Sequence, residues 1–286
     1  LTKNEISSII AELIPFYKQV VRGEYAIALA GAHAKGKADI HSDVDLFIYA
    51  EDYAPFEIRR DVFAALAEGE ADFWISEDFD TLPWGGSIDF IYKGHKIETT
   101  IKSIRKLKEV VSECLNGEIK IYPEVWTLNG YFNYIYLSEI DFIQPVEDPF
   151  HIIRELKEEI RIYPPALKNA ILKEFWRKSR FWVNNFHYRS AIQRMDTIYT
   201  SGIVNQTLQN MVQVLFALNE QYFRGDKKLA SQLRELAFCP AVLTGNIEFL
   251  LTARPDVGHL RRQREILEEA TSLMEREMER QGGSQR

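Results

Sequence analysis

The stretch from Tyr25 to Ala50 constrains the fold more than any other. Tyr25 to Ala30 is an apolar run of small residues and reads as a buried strand. Gly31 to Ser42 is a loop rich in glycine, lysine and histidine. Asp43 to Ala50 is a second strand, and it opens on two carboxylates spaced i, i+2. Side chains alternate along a strand, so Asp43 and Asp45 share one face and Val44 and Leu46 the other. Two like charges on one face repel, and burying them unpaired is costly. A divalent cation removes that cost. Hard oxygen ligands at this spacing suit Mg²⁺, which takes a few carboxylates together with substrate phosphate oxygens. Gly31 and Gly36 let a backbone approach a phosphate closely, and Lys35 and Lys37 add positive charge. A Walker loop is excluded, because Ala38 stands where that motif needs a hydroxyl and a strand follows where it needs a helix. Asp-x-Asp alone arises by chance about once in a chain of this length; the flanking strands and glycine loop give it weight.

The whole chain sets the frame. At 286 residues it has room for one large or two ordinary domains, and 46% hydrophobic with 27% charged residues is a globular composition. Its apolar runs are too short to span a bilayer, so no membrane partner is expected. Leu1-Thr-Lys-Asn-Glu5 is polar and leads straight into a helical pattern, so no secretory signal is read there. Cys114 and Cys239 fit no metal or disulfide spacing and read as buried thiols in a reducing compartment, which points to the cytoplasm. The net charge of −7 is uneven: residues 1–121 hold 14 basic and 21 acidic residues, and residues 122–286 hold 21 of each. An acidic first half argues against a nucleic-acid partner and for a half that holds cations.

Periodicity predicts a helix over 3–22, bent or broken at Pro15, and a helix over 54–66. Residues 71–76 read as a strand and 77–86 as a loop. Residues 87–92 and 95–101 read as a hairpin turning at Lys93-Gly94, and 103–115 as a helix. On the second hairpin strand Glu98 shares a polar face with Lys96 and Thr100. It reads as a third carboxylate facing Asp43 and Asp45, with Asp89 on the first strand as the competing candidate. From Pro123 the pattern turns almost wholly helical: 123–138, 149–162, 166–187, 190–223 with a break or kink at Gly202, 228–237, 241–252 and 258–280. The expected class is therefore α+β, with a mixed-sheet domain over 1–121 and an all-helical domain over 122–286. Gln281 to Arg286 reads as a disordered polar tail.

Gly31-Ala32, Gly36, Ser42-Asp43-Val44-Asp45 and Ile97-Glu98-Thr99 together resemble the nucleotidyltransferase domain of the DNA polymerase β superfamily. The similarity is to its antibiotic-modifying branch, the aminoglycoside and lincosamide nucleotidyltransferases, and it covers roughly residues 20–105. The later segment Val214–Lys228 looks like a helix-then-lysine element of the same branch. The resemblance implies transfer of a nucleoside monophosphate from an NTP, ATP first, to a hydroxyl of a small molecule. It implies Mg²⁺ held by Asp43, Asp45 and Glu98, with Glu98 alternatively the general base, and a phosphate loop using Gly31, Ala32, Lys35, Gly36 and Ser42. The family carries Ser after the first glycine; Ala32 keeps the amide and loses the hydroxyl. A protein or RNA acceptor, or a degenerate module that binds nucleotide without catalysis, stays open, as does a homodimer.

Phosphates also need cations from the protein. Residues 161–195 carry eight Lys+Arg and one acid, Glu174. Lys173, Arg177 and Arg180 share one helical face, so this face is expected to close over the acids and contact phosphates, with Lys227 and Lys228 as second candidates. His33, His41 and His95 lack a metal-ligand spacing.

Overall fold

The computed structural model describes residues 2–282. Its chain order is α1 (Lys3–Val20), β1 (Val21–Leu29), α2 (Gly31–Ala34), β2 (Val44–Tyr53), α3 (Phe56–Ala64), β3 (Trp74–Ile75), β4 (Gly86–Tyr92), β5 (His95–Ser103) and α4 (Ile104–Leu115). Then come β6 (Ile121–Tyr122), β7 (Tyr131–Phe132), α5 (Ile135–Phe142), β8 (Gln144–Glu147) and α6 (Ile152–Ile160). The rest is helical: α7 (Pro165–Phe181), α8 (Phe186–Gln193), α9 (Thr197–Leu218), α10 (Leu229–Glu235), α11 (Ala241–Thr244), α12 (Ile247–Leu251) and α13 (Val257–Arg280). The class is α+β, a mixed sheet followed by a helical region.

The chain forms two compact units. The first is Leu1–Cys114, Lys120–Glu124 and Gly130–Ile162; the second is Leu115–Ile119, Val125–Asn129 and Tyr163–Arg286. The first unit thus runs past the 121/122 boundary read from the change of pattern. The reason is β8, which pairs antiparallel with β1 and completes a six-stranded sheet ordered β3-β4-β5-β2-β1-β8. Pro145 hides this strand in the sequence, and proline is tolerated here because β8 is an edge. Residues 123–138 are not one helix either. Asn129-Gly130, with Gly130 at φ +91°, turns the chain between β6 and β7, and a helix forms only from Ile135.

One face of the sheet is the core. Val44, Leu46 and Ile48 of β2 lie beside Ile97 and Ile101 of β5 and Ile88 and Phe90 of β4, all fully buried. α1 covers them with Ile6, Ile9, Ile10, Leu13 and Tyr17, repeating at helical spacing. It starts at a capping box between Thr2 and Glu5 and runs through Pro15 as a single helix. Its inner end is pinned by Tyr17, whose hydroxyl lies 2.6 Å from Thr99 Oγ1. Glu147 of β8 ties that edge to the helix, accepting from Lys18 Nζ at 2.8 Å and from the Tyr25 hydroxyl at 2.9 Å.

The opposite face is covered at one end by α5. There the Lys102 ammonium, 1% exposed, pairs with Glu139 at 2.5 Å and lies 3.7 Å from the centre of the Tyr136 ring. Burial pushes the Lys102 amine below its ordinary range. Phe47 flanks the ammonium, its ring centre 5.4 Å away. Gly85, at φ +90°, is required here, because a Cβ would meet Ile101 O at 2.6 Å and Lys102 Cγ at 2.7 Å.

In the second unit several expected helices divide. The helix read over 166–187 ends at Phe181, and Asn185 caps α8 by accepting from the His187 N–H. The long helix read over 190–223 breaks at Met195, φ +55°, and Asp196 caps α9. Gly202 lies inside α9 without interrupting it. The segment 241–252 splits into α11 and α12 around Gly245-Asn246. Of the expected tail, residues 283–286 lie outside the described residues; Gln281 Nε2 donates to Leu218 O at 3.1 Å. Among the described residues no helix is long and apolar enough to cross a membrane.

Candidate active site

Beyond the cover of α5, the same sheet face carries acids. β2 and β5 run parallel, with Asp45 in register with Glu98. β4 pairs antiparallel on the other side of β5, with Asp89 in register with the same Glu98. Register neighbours point to one face, so Asp45, Glu98 and Asp89 form a row across three strands. Asp43 lies two residues before Asp45 on that face. Both candidates for the third acid therefore belong to one row, Glu98 in the middle and Asp89 at its end. Burial and the Glu98 charge push the Asp89 carboxyl up to about 6.

A lysine joins this row. Lys96, on the Glu98 face of β5, ion-pairs with Glu98 and reaches Asp43 Oδ2 at 3.5 Å. All three groups are well exposed, with 47%, 40% and 36% of the side chain open to water for Lys96, Glu98 and Asp43. The sequence reading missed this role, although the i, i+2 alternation that placed Glu98 places Lys96 as well. Among the described residues, no three His, Cys, Asp or Glu side chains are gathered as they would be around a metal ion.

The loop before β2 is shaped around Asp45. Gly31 opens α2 at φ +58°, and a Cβ on it would lie 1.7 Å from Asp45 Oδ2. Only glycine lets the backbone sit against that carboxylate. Ala30 N–H donates to Asp45 O at 2.8 Å, fixing the turn from β1 to β2. Ala32 is the second residue of α2, and its carbonyl accepts from Lys37 N–H at 3.0 Å. Gly36 is left-handed at φ +64° and has open space where a Cβ would stand. Lys35 Nζ sits 3.7 Å from the centre of the Phe142 ring, at the end of α5. Ser42 is engaged locally, its hydroxyl accepting from Asp39 N–H at 2.9 Å and donating to Asp39 Oδ1 at 3.2 Å. That closes a turn leading into Asp43.

The other predicted phosphate contacts belong to the second unit. Arg177 and Arg180 are exposed on α7, and Arg180 pairs with Glu275 of α13 at 3.2 Å. Lys227 lies before α10, its carbonyl accepting from Gln232 Nε2 at 2.8 Å.

Asp43, Asp45 and Glu98 are hard anionic donors of the type Mg²⁺ takes, on one sheet face beside a glycine loop, but as they stand they are not gathered around one point. In the arrangement described, an ammonium supplies the positive charge between two of them.

No protein-family model matches the chain, and no curated protein matches it. Among solved structures it is similar to a nucleotidyltransferase-like protein from Exiguobacterium sibiricum, with 9% identity and a TM-score of 0.45, over 96% of this chain and 75% of that one. At that identity and score the likeness decides nothing about activity.

Proposed function

We propose that the chain is a Mg²⁺-dependent nucleotidyltransferase. It moves a nucleoside monophosphate from an NTP, ATP first, to a hydroxyl of a small molecule of the aminoglycoside or lincosamide kind. The observation that supports this most is the register of Asp45 with Glu98 on adjacent parallel strands, two residues on from Asp43. It brings acids more than 50 residues apart in sequence to one face, next to a loop whose glycine is required by Asp45 itself.

Asp43, Asp45 and Glu98 are the residues that hold Mg²⁺ in this reading. When bound, the metal supplies charge stabilisation to an in-line displacement at phosphorus. The acceptor oxygen forms a bond to the α-phosphorus, the bond to the pyrophosphate oxygen breaks, and pyrophosphate leaves with its electron pair. The acceptor proton goes to a carboxylate; in the alternative role Glu98 takes it instead of holding the metal. The backbone of Gly31, Ala32 and Gly36 lines the phosphate approach, with Lys35 adding positive charge.

One observation favours a second reading, a module that binds nucleotide without catalysis: Lys96 occupies the space between Asp43 and Glu98. Incubation with each labelled NTP, Mg²⁺ and a panel of aminoglycosides and lincosamides separates the two. Catalysis gives pyrophosphate release that depends on the acceptor and falls at least about a hundredfold in Asp45→Asn with the fold retained. Release that survives Asp45→Asn refutes the ligand assignment, and nucleotide binding without release supports the module.

A further inference from the structure

A second cluster of charge lies wholly inside the helical unit. α8 and α13 frame a half-open pocket of about 260 Å³ lined by Arg189, Ser190, Ile192, Gln193, Arg261 and Arg264. Three arginines and no acid line it, in a chain whose net charge is −7. The spacing is deliberate in helical terms. Arg189 and Gln193 are i, i+4 on α8, and Arg261 and Arg264 are i, i+3 on α13, so each pair shares one helical face.

The fold itself gives these arginines little reason to meet. Arg264 is the most anchored, donating to Val183 O at 3.3 Å and pairing with Glu268 at 3.2 Å. Among the described residues the Arg189 side chain reaches only the Asn184 carbonyl, at 3.4 Å. Arg261 is exposed and has no ion-pair partner among the described residues. It stands in the second turn of α13, toward the positive end of the helix dipole, where acids rather than arginines stabilise. Like charges gathered this way repel, and an anion between them reverses the sign of that term.

We infer that this pocket binds a compact, multiply charged phosphate anion of the pyrophosphate class. Guanidinium groups match phosphate oxygens with paired N–H donors. The Ser190 hydroxyl and the Gln193 amide add neutral donors. The volume lies below the range of drug-sized ligand sites, roughly 300–1,000 Å³, and suits one or two phosphate groups. A small, localised basic pocket in an acidic chain favours such an anion over a nucleic-acid backbone, which needs an extended basic track. Its lining residues all belong to the helical unit and none to the acidic sheet face, so the inference does not depend on the activity proposed for that face.

The test is calorimetric titration of the full chain with pyrophosphate in EDTA, without divalent metal. The wild type is expected to bind one pyrophosphate per chain. Arg189→Met with Arg261→Met, both exposed positions, is expected to weaken binding at least tenfold while leaving the circular dichroism spectrum unchanged. Asp43→Asn with Asp45→Asn is expected to leave it as it was, which separates this site from the acidic face. ATP binding as strongly as pyrophosphate assigns the anion to a nucleotide tail, and ATP binding tenfold more weakly assigns it to the free anion; either upholds the site. The inference is overturned by no pyrophosphate binding, by undiminished binding in the double arginine variant, or by loss of binding in the double aspartate variant. A twelve-nucleotide RNA that binds tighter than pyrophosphate and depends on both arginines also overturns it.

Discussion

Replacing Glu139 by Leu leaves the Lys102 ammonium buried beneath α5 with no counter-ion. Lys102 is 1% exposed and Glu139 15%, so water does not readily replace the lost carboxylate. Removing one partner of a buried ion pair costs about 3–5 kcal/mol. The Tyr136 ring, 3.7 Å from the ammonium, retains a cation–π contribution of about 1 kcal/mol. The expected loss is therefore about 2–4 kcal/mol at pH 7, read from urea titration by circular dichroism. The loss has a signed pH dependence. Burial holds the Lys102 pKa below its unfolded value, so the unfolded state binds the proton more tightly. Stability of Glu139→Leu then rises with pH between 7 and 10 as the buried amine gives up its charge. Lys102→Met with Glu139→Leu removes both charges, and this double variant is expected within about 1 kcal/mol of the wild type or above it. A single-variant loss under about 1 kcal/mol, or a double variant as unstable as the single, would refute the reasoning.

Three more outcomes are expected. Gly31→Ala, forced into φ +58° with its Cβ on the Asp45 carboxylate, should lose about 1–3 kcal/mol in urea denaturation; unchanged stability would contradict the packing described. Asp89, pushed up to about 6, binds its proton more tightly folded than unfolded. Its contribution to stability is therefore lost as pH rises from about 4 to 6, and Asp89→Asn should gain about 1–2 kcal/mol over the wild type at pH 8 and nothing at pH 4, after discounting for partial exposure; a gain independent of pH counts against it. Lys96→Met removes the cation between Asp43 and Glu98, and Mn²⁺ affinity by calorimetry should rise about three- to tenfold; equal or weaker affinity would show that the lysine does not compete with metal.

The acidic face was legible because strand alternation is local. Asp43, Asp45 and Glu98 each follow from a period of two, read within a few residues. The parallel pairing of β2 with β5 is not local: α3, β3 and β4 intervene before the register that sets Asp45 beside Glu98 can form. That register left Asp89 and Glu98 looking like rivals when they are neighbours. Lys96 was overlooked because a lysine on a strand reads as solvent-facing, and its partner Asp43 lies on another segment. Helical periodicity located the second unit's helices but ran through their ends. Asn185 and Asp196 carry the cap signals that divide them, and apolar residues on both sides masked those signals. Arg189 and Arg261 are more than 70 residues apart, and nothing in sequence brings them together.

The position of β8 also sets a timetable for synthesis. β1 ends at Leu29, and the strand that covers its outer edge begins at Gln144, about 115 residues later. At roughly 5–20 residues per second, a growing chain carries β1 with one edge open for about 6–23 s after that strand is made. During that interval the backbone groups of Ile27 to Leu29 are available to any extended segment on a neighbouring ribosome. A fragment ending at residue 121 never closes the edge, and is expected to yield less soluble protein than one ending at 162.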